Sequence, residues 1–166
     1  MFPASHRSTV AAAPRAISSL PPAERASSRP PLPARPSTLP PSSIRAQLFT
    51  EQPLIVLVEI TGRPSLADVL ASRDFGNVVR SLAGKPFRVL CDFTQTVTMA
   101  AEVCAVLARG QEFAVARGME RDAFVCSSSV LRLQFARIAR ESGRIRSLGP
   151  LSFFDTLEEG RAYLAR

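Results

Sequence analysis

Phe87-Arg88-Val89-Leu90-Cys91-Asp92-Phe93 is a run rich in aliphatic, β-branched and aromatic side chains, with Arg88 and Asp92 as its charged members. Pro86 punctuates its start, so the run reads as a buried strand with Asp92 near its end. A threonine-rich turn follows, holding Thr94, Thr96 and Thr98. From Met99 to Met119 the apolar residues Met99, Val103, Val106, Leu107, Phe113 and Ala114 recur at helical spacing. The hydroxyl of Thr98 or Thr96 is the expected cap for the first turn, and Gly118 suits a helix end that needs positive φ. A strand feeding a helix through a short polar turn is half of a βαβ unit.

The same alternation extends in both directions. Upstream, Ile44–Thr50 reads as a short edge strand broken by Gln52-Pro53. Leu54-Ile55-Val56-Leu57-Val58-Glu59-Ile60 follows, apolar enough to be buried on both faces. Thr61-Gly62-Arg63-Pro64 is a turn. Ser65 then caps a helix with Asp68 three residues on, close to a capping box. Asp74–Leu82 continues as helix. Downstream, Arg121–Cys126 is a fourth strand, and Ser127-Ser128-Ser129 opens a helix over Val130–Ser142. Its buried stripe is Leu131, Phe135, Ile138 and Ala139, with Arg132, Arg137 and Arg140 outward and Gly143 as its stop. Ile145–Leu148 and Leu151–Phe154 supply a last strand, and Asp155 or Thr156 caps a closing helix. The pattern predicts an α/β domain: a mostly parallel sheet of four to five strands, mixed at its edge, covered by about four helices.

Composition separates this domain from what precedes it. Ten of the fourteen prolines lie before residue 53. Residues 1–44 are a Pro/Ser/Arg-rich tail, expected to be disordered for want of apolar surface to offset the entropy of ordering. Residues 45–166 form the expected domain. The Arg and Ser content of the tail also fits a transit peptide, although its prolines oppose the helix such a peptide forms, and a start downstream is a third reading. Residues 1–52 carry six arginines against Glu24 and Glu51, net +4; the rest carries fifteen basic and twelve acidic residues, net +3. The excess charge belongs mainly to the tail, which argues against a folded nucleic-acid-binding face. No apolar run is long enough for a membrane span, and the first residues lack a secretory core. Cys91, Cys104 and Cys126 sit in apolar patterns and read as reduced core thiols, so the expected location is the cytoplasm.

Catalytic constellations are missing. The single histidine, His6, lies in the tail, which leaves no Ser-His or Cys-His pair and no zinc site. No phosphate-binding glycine motif is present, and Lys85 is the only lysine. We therefore expect no enzyme activity, no metal and no cofactor. In open α/β sheets, ligands meet the carboxyl ends of the strands. The candidate binding residues are accordingly Asp92, Thr94, Thr96 and Thr98 in one loop and Ser127 and Ser128 in another. Turn and cap chemistry explains the same residues, and an anion held at a helix start is the functional alternative. A phospho-accepting receiver domain is excluded, because the first strong strand ends with one acid and no lysine follows residue 85.

Residues 45–166 resemble the STAS-like, SpoIIAA-like group, related to anti-sigma-factor antagonists. The resemblance is carried by Ile60-Thr61-Gly62-Arg63, by Leu90-Cys91-Asp92-Phe93-Thr94, by Phe153-Phe154-Asp155-Thr156-Leu157-Glu158-Glu159-Gly160, and by Ala162-Tyr163-Leu164. It implies a regulatory module that binds another protein. The phosphorylatable Asp-Ser pair of such antagonists falls in register on Ala100 and Ala101, so the usual switch is expected to be missing, with Thr98 the nearest candidate for phosphorylation. The rival reading is a carrier of a small ligand, a lipid or nucleotide, in a pocket between helix and sheet.

Overall fold

A computed structural model describes residues 40–82 and 84–166. The expected disorder of the tail, and His6 with it, falls outside the described residues up to residue 39. Among the described residues five strands lie side by side in chain order: β1 (Ser43–Glu51), β2 (Leu54–Thr61), β3 (Phe87–Asp92), β4 (Met119–Val125) and β5 (Phe153–Phe154). β1 runs antiparallel to β2 across the tight Gln52-Pro53 connection, and β2 to β5 run parallel. Leu57 faces Leu90, and Leu90 faces Ala123, so the three central strands share one register of apolar residues.

Among the described residues six helical segments connect and close this sheet: α1 (Leu66–Ala71), α2 (Asp74–Ser81), α3 (Ala101–Val115), α4 (Ser129–Glu141), α5 (Arg144–Leu148) and α6 (Leu157–Leu164). Parallel strands laid down in order, with crossovers of one preferred hand, put the connecting helices on one face. The buried clusters follow suit. Val56, Val58, Ile60, Val89, Phe93 and Phe124 belong to the large cluster with residues of α1 to α4. The alternate residues Ile55, Leu57, Leu90, Ala123 and Val125 pack with Leu164 of α6. The terminal helix is not a crossover and is free to take the other face.

Capping follows the sequence at Ser65, and at α6 the cap is Thr156, which also closes a capping box. Ser65 accepts from the Asp68 N–H while Asp68 accepts from the Ser65 N–H, and Thr156 and Glu159 do the same for α6. Ser65, through its backbone N–H and then its hydroxyl, holds the Asp68 carboxyl below its ordinary value.

Three expectations are corrected. The long helix is shorter than its apolar periodicity, because the Phe87 N–H bonds the Gly118 carbonyl at 3.1 Å and draws the chain into β4 from Met119. Ile145–Leu148 is not strand but part of α5, since Arg144 at its start is buried and closes the turn by donating to the Gly149 carbonyl. Of the three arginines expected outward on α4, Arg132 is half-buried and tied to the sheet edge.

Candidate functional site

The carboxyl ends of β2, β3 and β4 carry three loops that the backbone fastens together. Beyond β2, Gly62 forms an isolated parallel bridge with Thr96. The Gly62 N–H donates to the Gln95 carbonyl at 2.8 Å, and the Val97 N–H donates to the Gly62 carbonyl at 2.9 Å. Gly62 has a φ of 66°, and a Cβ there would lie 2.6 Å from the Pro40 carbonyl oxygen, so only glycine fits against the segment that leads into β1. Between β3 and β4, the Phe93 N–H donates to the Val125 carbonyl at 3.0 Å.

Side chains of α4 secure the same edge from its far side. Gln134 donates to the Met99 carbonyl at 2.8 Å and accepts from the Met99 N–H at 3.2 Å. Arg132 donates through Nε to the Cys126 carbonyl at 2.7 Å and pairs through Nη2 with Asp155 at 3.0 Å. The loops are therefore a fixed platform.

The sequence candidates divide on this platform. Asp92 Oδ1 is occupied by its own turn, accepting from the Thr94 N–H at 2.9 Å and the Thr94 hydroxyl at 2.7 Å. The Thr96 hydroxyl donates to the Ile60 carbonyl. Ser128 is the N-cap of α4, accepting from the Leu131 N–H at 3.4 Å. Thr94, Thr98 and Ser127 are exposed. The expected threonine cap of α3 is corrected. Its N-cap is Ala100, with no side-chain hydrogen bond, because the Thr96 hydroxyl is spent on the Ile60 carbonyl and the chain is still extended at Ala100, two residues past Thr98. Ala101 is the first residue of α3.

Several residues were not singled out from sequence. Beside Ser127, Val130 and Leu133 are 49% and 72% exposed, one helical turn apart on α4. Gln134 carries no local signal, since its partner Met99 is distant in sequence. Asp122 closes the charged run Glu120-Arg121-Asp122 at the point where β4 turns apolar. It is 1% exposed and meets the equally buried Arg144, whose Nε donates to Oδ2 at 2.8 Å and whose Nη2 bonds Oδ1. Burial pushes the Asp122 carboxyl above its ordinary value, with Arg144 pulling the other way. Among the described residues, no group of three or more His, Cys, Asp or Glu side chains is placed to hold a metal ion, and no helix is long and apolar enough to cross a membrane.

No family model and no curated protein matches the chain. Solved structures do. A protein of the DUF3478 family with a SpoIIAA-like fold, from Shewanella loihica PV-4, aligns at 15% identity over 75% of this chain and 96% of that one, with a TM-score of 0.54. An anti-sigma factor antagonist from Mycobacterium paratuberculosis aligns at 15% identity over the same shares, with a TM-score of 0.47. The chain has the SpoIIAA-like, STAS-like fold that its sequence segments indicate.

Proposed function

We propose that the domain is a regulatory interaction module that binds another protein through the platform at the carboxyl ends of β2, β3 and β4, and performs no chemistry of its own. The observation that carries this reading is the Gly62–Thr96 bridge, which welds two recognition loops into one surface. A surface fixed in advance loses little entropy when a partner docks. Its chemistry also suits a protein: the hydroxyls of Thr94, Thr98 and Ser127 lie at loops beside the exposed apolar pair Val130 and Leu133. The module works in the cytoplasm with its thiols reduced.

The switch belongs to the same reading. Ala100 and Ala101 at the start of α3 cannot accept phosphate, so partner binding is constitutive unless Thr98 takes the group. Near Thr98 the uncapped N–H groups of α3 would favour a phosphate, and Glu102 in the first turn would oppose it. The test is affinity capture with the intact chain, followed by titration of the recovered partner against Thr98→Arg, Ser127→Arg and Leu133→Lys. At least one of these should weaken binding by about tenfold, near 1.4 kcal/mol, without moving the melting temperature. Equal binding by all three would remove the platform as the interface.

A further inference from the structure

On the crossover face of the sheet lies a cavity of about 350 Å³. Val58, Val89 and Phe93 form its floor, and Phe75 of α2 with Leu107 and Phe113 of α3 form its walls. Protein interiors seldom leave gaps much larger than a water molecule. Two glycines inside helices, Gly76 in α2 and Gly110 in α3, also line it. Glycine weakens a helix interior relative to alanine. At Gly110 a Cβ would meet nothing within 4 Å, and at Gly76 it would meet only the Arg80 guanidinium, at 3.5 Å and beyond. No packing constraint calls for glycine at either place, and what both provide is room.

The polar groups are unevenly placed. The carboxylate at the cavity wall, Asp122, is matched by Arg144. Arg80 and Arg109 line the cavity from α2 and α3, are exposed to solvent, and have no carboxylate partner among the described residues. A second hollow shares Ser72, Gly76 and Arg80 with the cavity, so the space reaches the surface along α2 with Arg80 at its mouth. Scaling from an apolar cavity of about 150 Å³ that takes benzene, this one holds about fourteen non-hydrogen atoms.

We propose that the cavity binds a medium-chain aliphatic carboxylate, its chain between α2, α3 and the sheet and its head on Arg80 and Arg109. The ligand-carrier alternative named a helix-to-sheet pocket without locating it; this assignment does not depend on the platform and stands or falls separately.

Calorimetric titration of the full-length chain tests it, with decanoate, 1-decanol and butyrate as probes. Decanoate should bind once per chain, butyrate not at all, and 1-decanol at least tenfold more weakly than decanoate. Arg80→Gln combined with Arg109→Gln should remove that tenfold preference and leave 1-decanol unchanged. Gly110→Leu should fill the space and abolish binding while the melting temperature holds or rises. Methyl NMR of the unmodified chain locates the ligand without any variant: decanoate should shift Val58, Val89 and Leu107, and leave Leu70 and Leu133 still. Absence of decanoate binding, equal binding of decanoate and 1-decanol, or shifts confined to Leu70 and Leu133 would each overturn the proposal.

Discussion

Gly160 shows how one residue sets the distance between a helix and the sheet. It is buried in the middle of α6, where alanine would ordinarily be the better helix former by about 1 kcal/mol. Yet a Cβ there would lie 2.8 Å from Leu90 Cδ1 and 3.3 Å from Val125 Cγ2, and both side chains are buried completely. Overpacking of this kind costs about 1–3 kcal/mol, so Gly160→Ala should lower stability on balance. The cause can be isolated by a double-mutant cycle in chemical denaturation. With Leu90→Val in place the Cδ1 clash is gone, and Gly160→Ala should cost less than it does alone, by about 0.5 kcal/mol or more. Additive effects would mean that α6 shifts as a body and that contact with Leu90 does not matter. From sequence, Gly160 was legible only as part of a resembling segment, because its reason lies across space. Asp122 is a like case, since it follows Glu120 and Arg121 in sequence and only the fold, by burying it against Arg144, separates it from them.

At the scale of elements, the first four strands, the Ser65 capping box and the cap at Thr156 were legible because their signals are local. Leu54–Ile60 is too apolar to be anything but buried, and Ser65-to-Asp68 and Thr156-to-Glu159 carry their own hydrogen bonds. Elements whose ends depend on tertiary partners were not. Thr96 has the chemistry of a helix cap but spends its hydroxyl on Ile60, and the apolar run Ile145–Leu148 is too short for periodicity to separate strand from helix. The start of β1 is another such end. Ser43 pairs with Thr61, Ser42 Oγ donates to the Arg63 carbonyl at 2.8 Å, and Thr61 Oγ1 donates to the Pro41 carbonyl at 2.9 Å. A deletion placed at residue 44 therefore cuts into the sheet, and one placed at residue 39 does not. Thermal unfolding of the two truncations should separate them: removal of 1–39 leaves the midpoint near that of the full chain, and removal of 1–44 lowers it. Each lost hydrogen bond contributes roughly 0.5–1.5 kcal/mol, so a drop of several degrees is expected for the longer deletion. Identical midpoints would show that residues 40–44 add nothing to the sheet, and an equal large drop in both would show that the tail itself contributes stability.

For the whole molecule, the sequential strand order has an uneven consequence. It sends the crossover helices to one face, where they share the large cluster and the cavity, and leaves the other face to α6. Ile55, Leu57, Leu90, Ala123 and Val125 are all buried there, with Leu164 as the fully buried side chain that α6 lays on them. Arg88 and Arg121 extend toward the helix from that same face, donating to the Leu164 and Tyr163 carbonyls and so satisfying backbone groups at its open end. Cavity and α6 thus make opposite demands on one sheet. The crossover face retains unfilled volume, and the face beneath α6 is so tightly packed that glycine is needed. Stability should consequently be more sensitive beneath α6. Leu90→Ala is expected to cost about 2–4 kcal/mol, the usual range for a buried leucine whose surroundings cannot collapse. Leu107→Ala, on a partly buried position already facing the cavity, should cost distinctly less. Ending the chain after Thr156 tests the dependence directly, since it uncovers five apolar strand residues at once. That truncation should lose its cooperative melting transition and near-ultraviolet circular dichroism. A sharp transition retained near the full-length midpoint would show that α6 is dispensable and that some other segment covers this face.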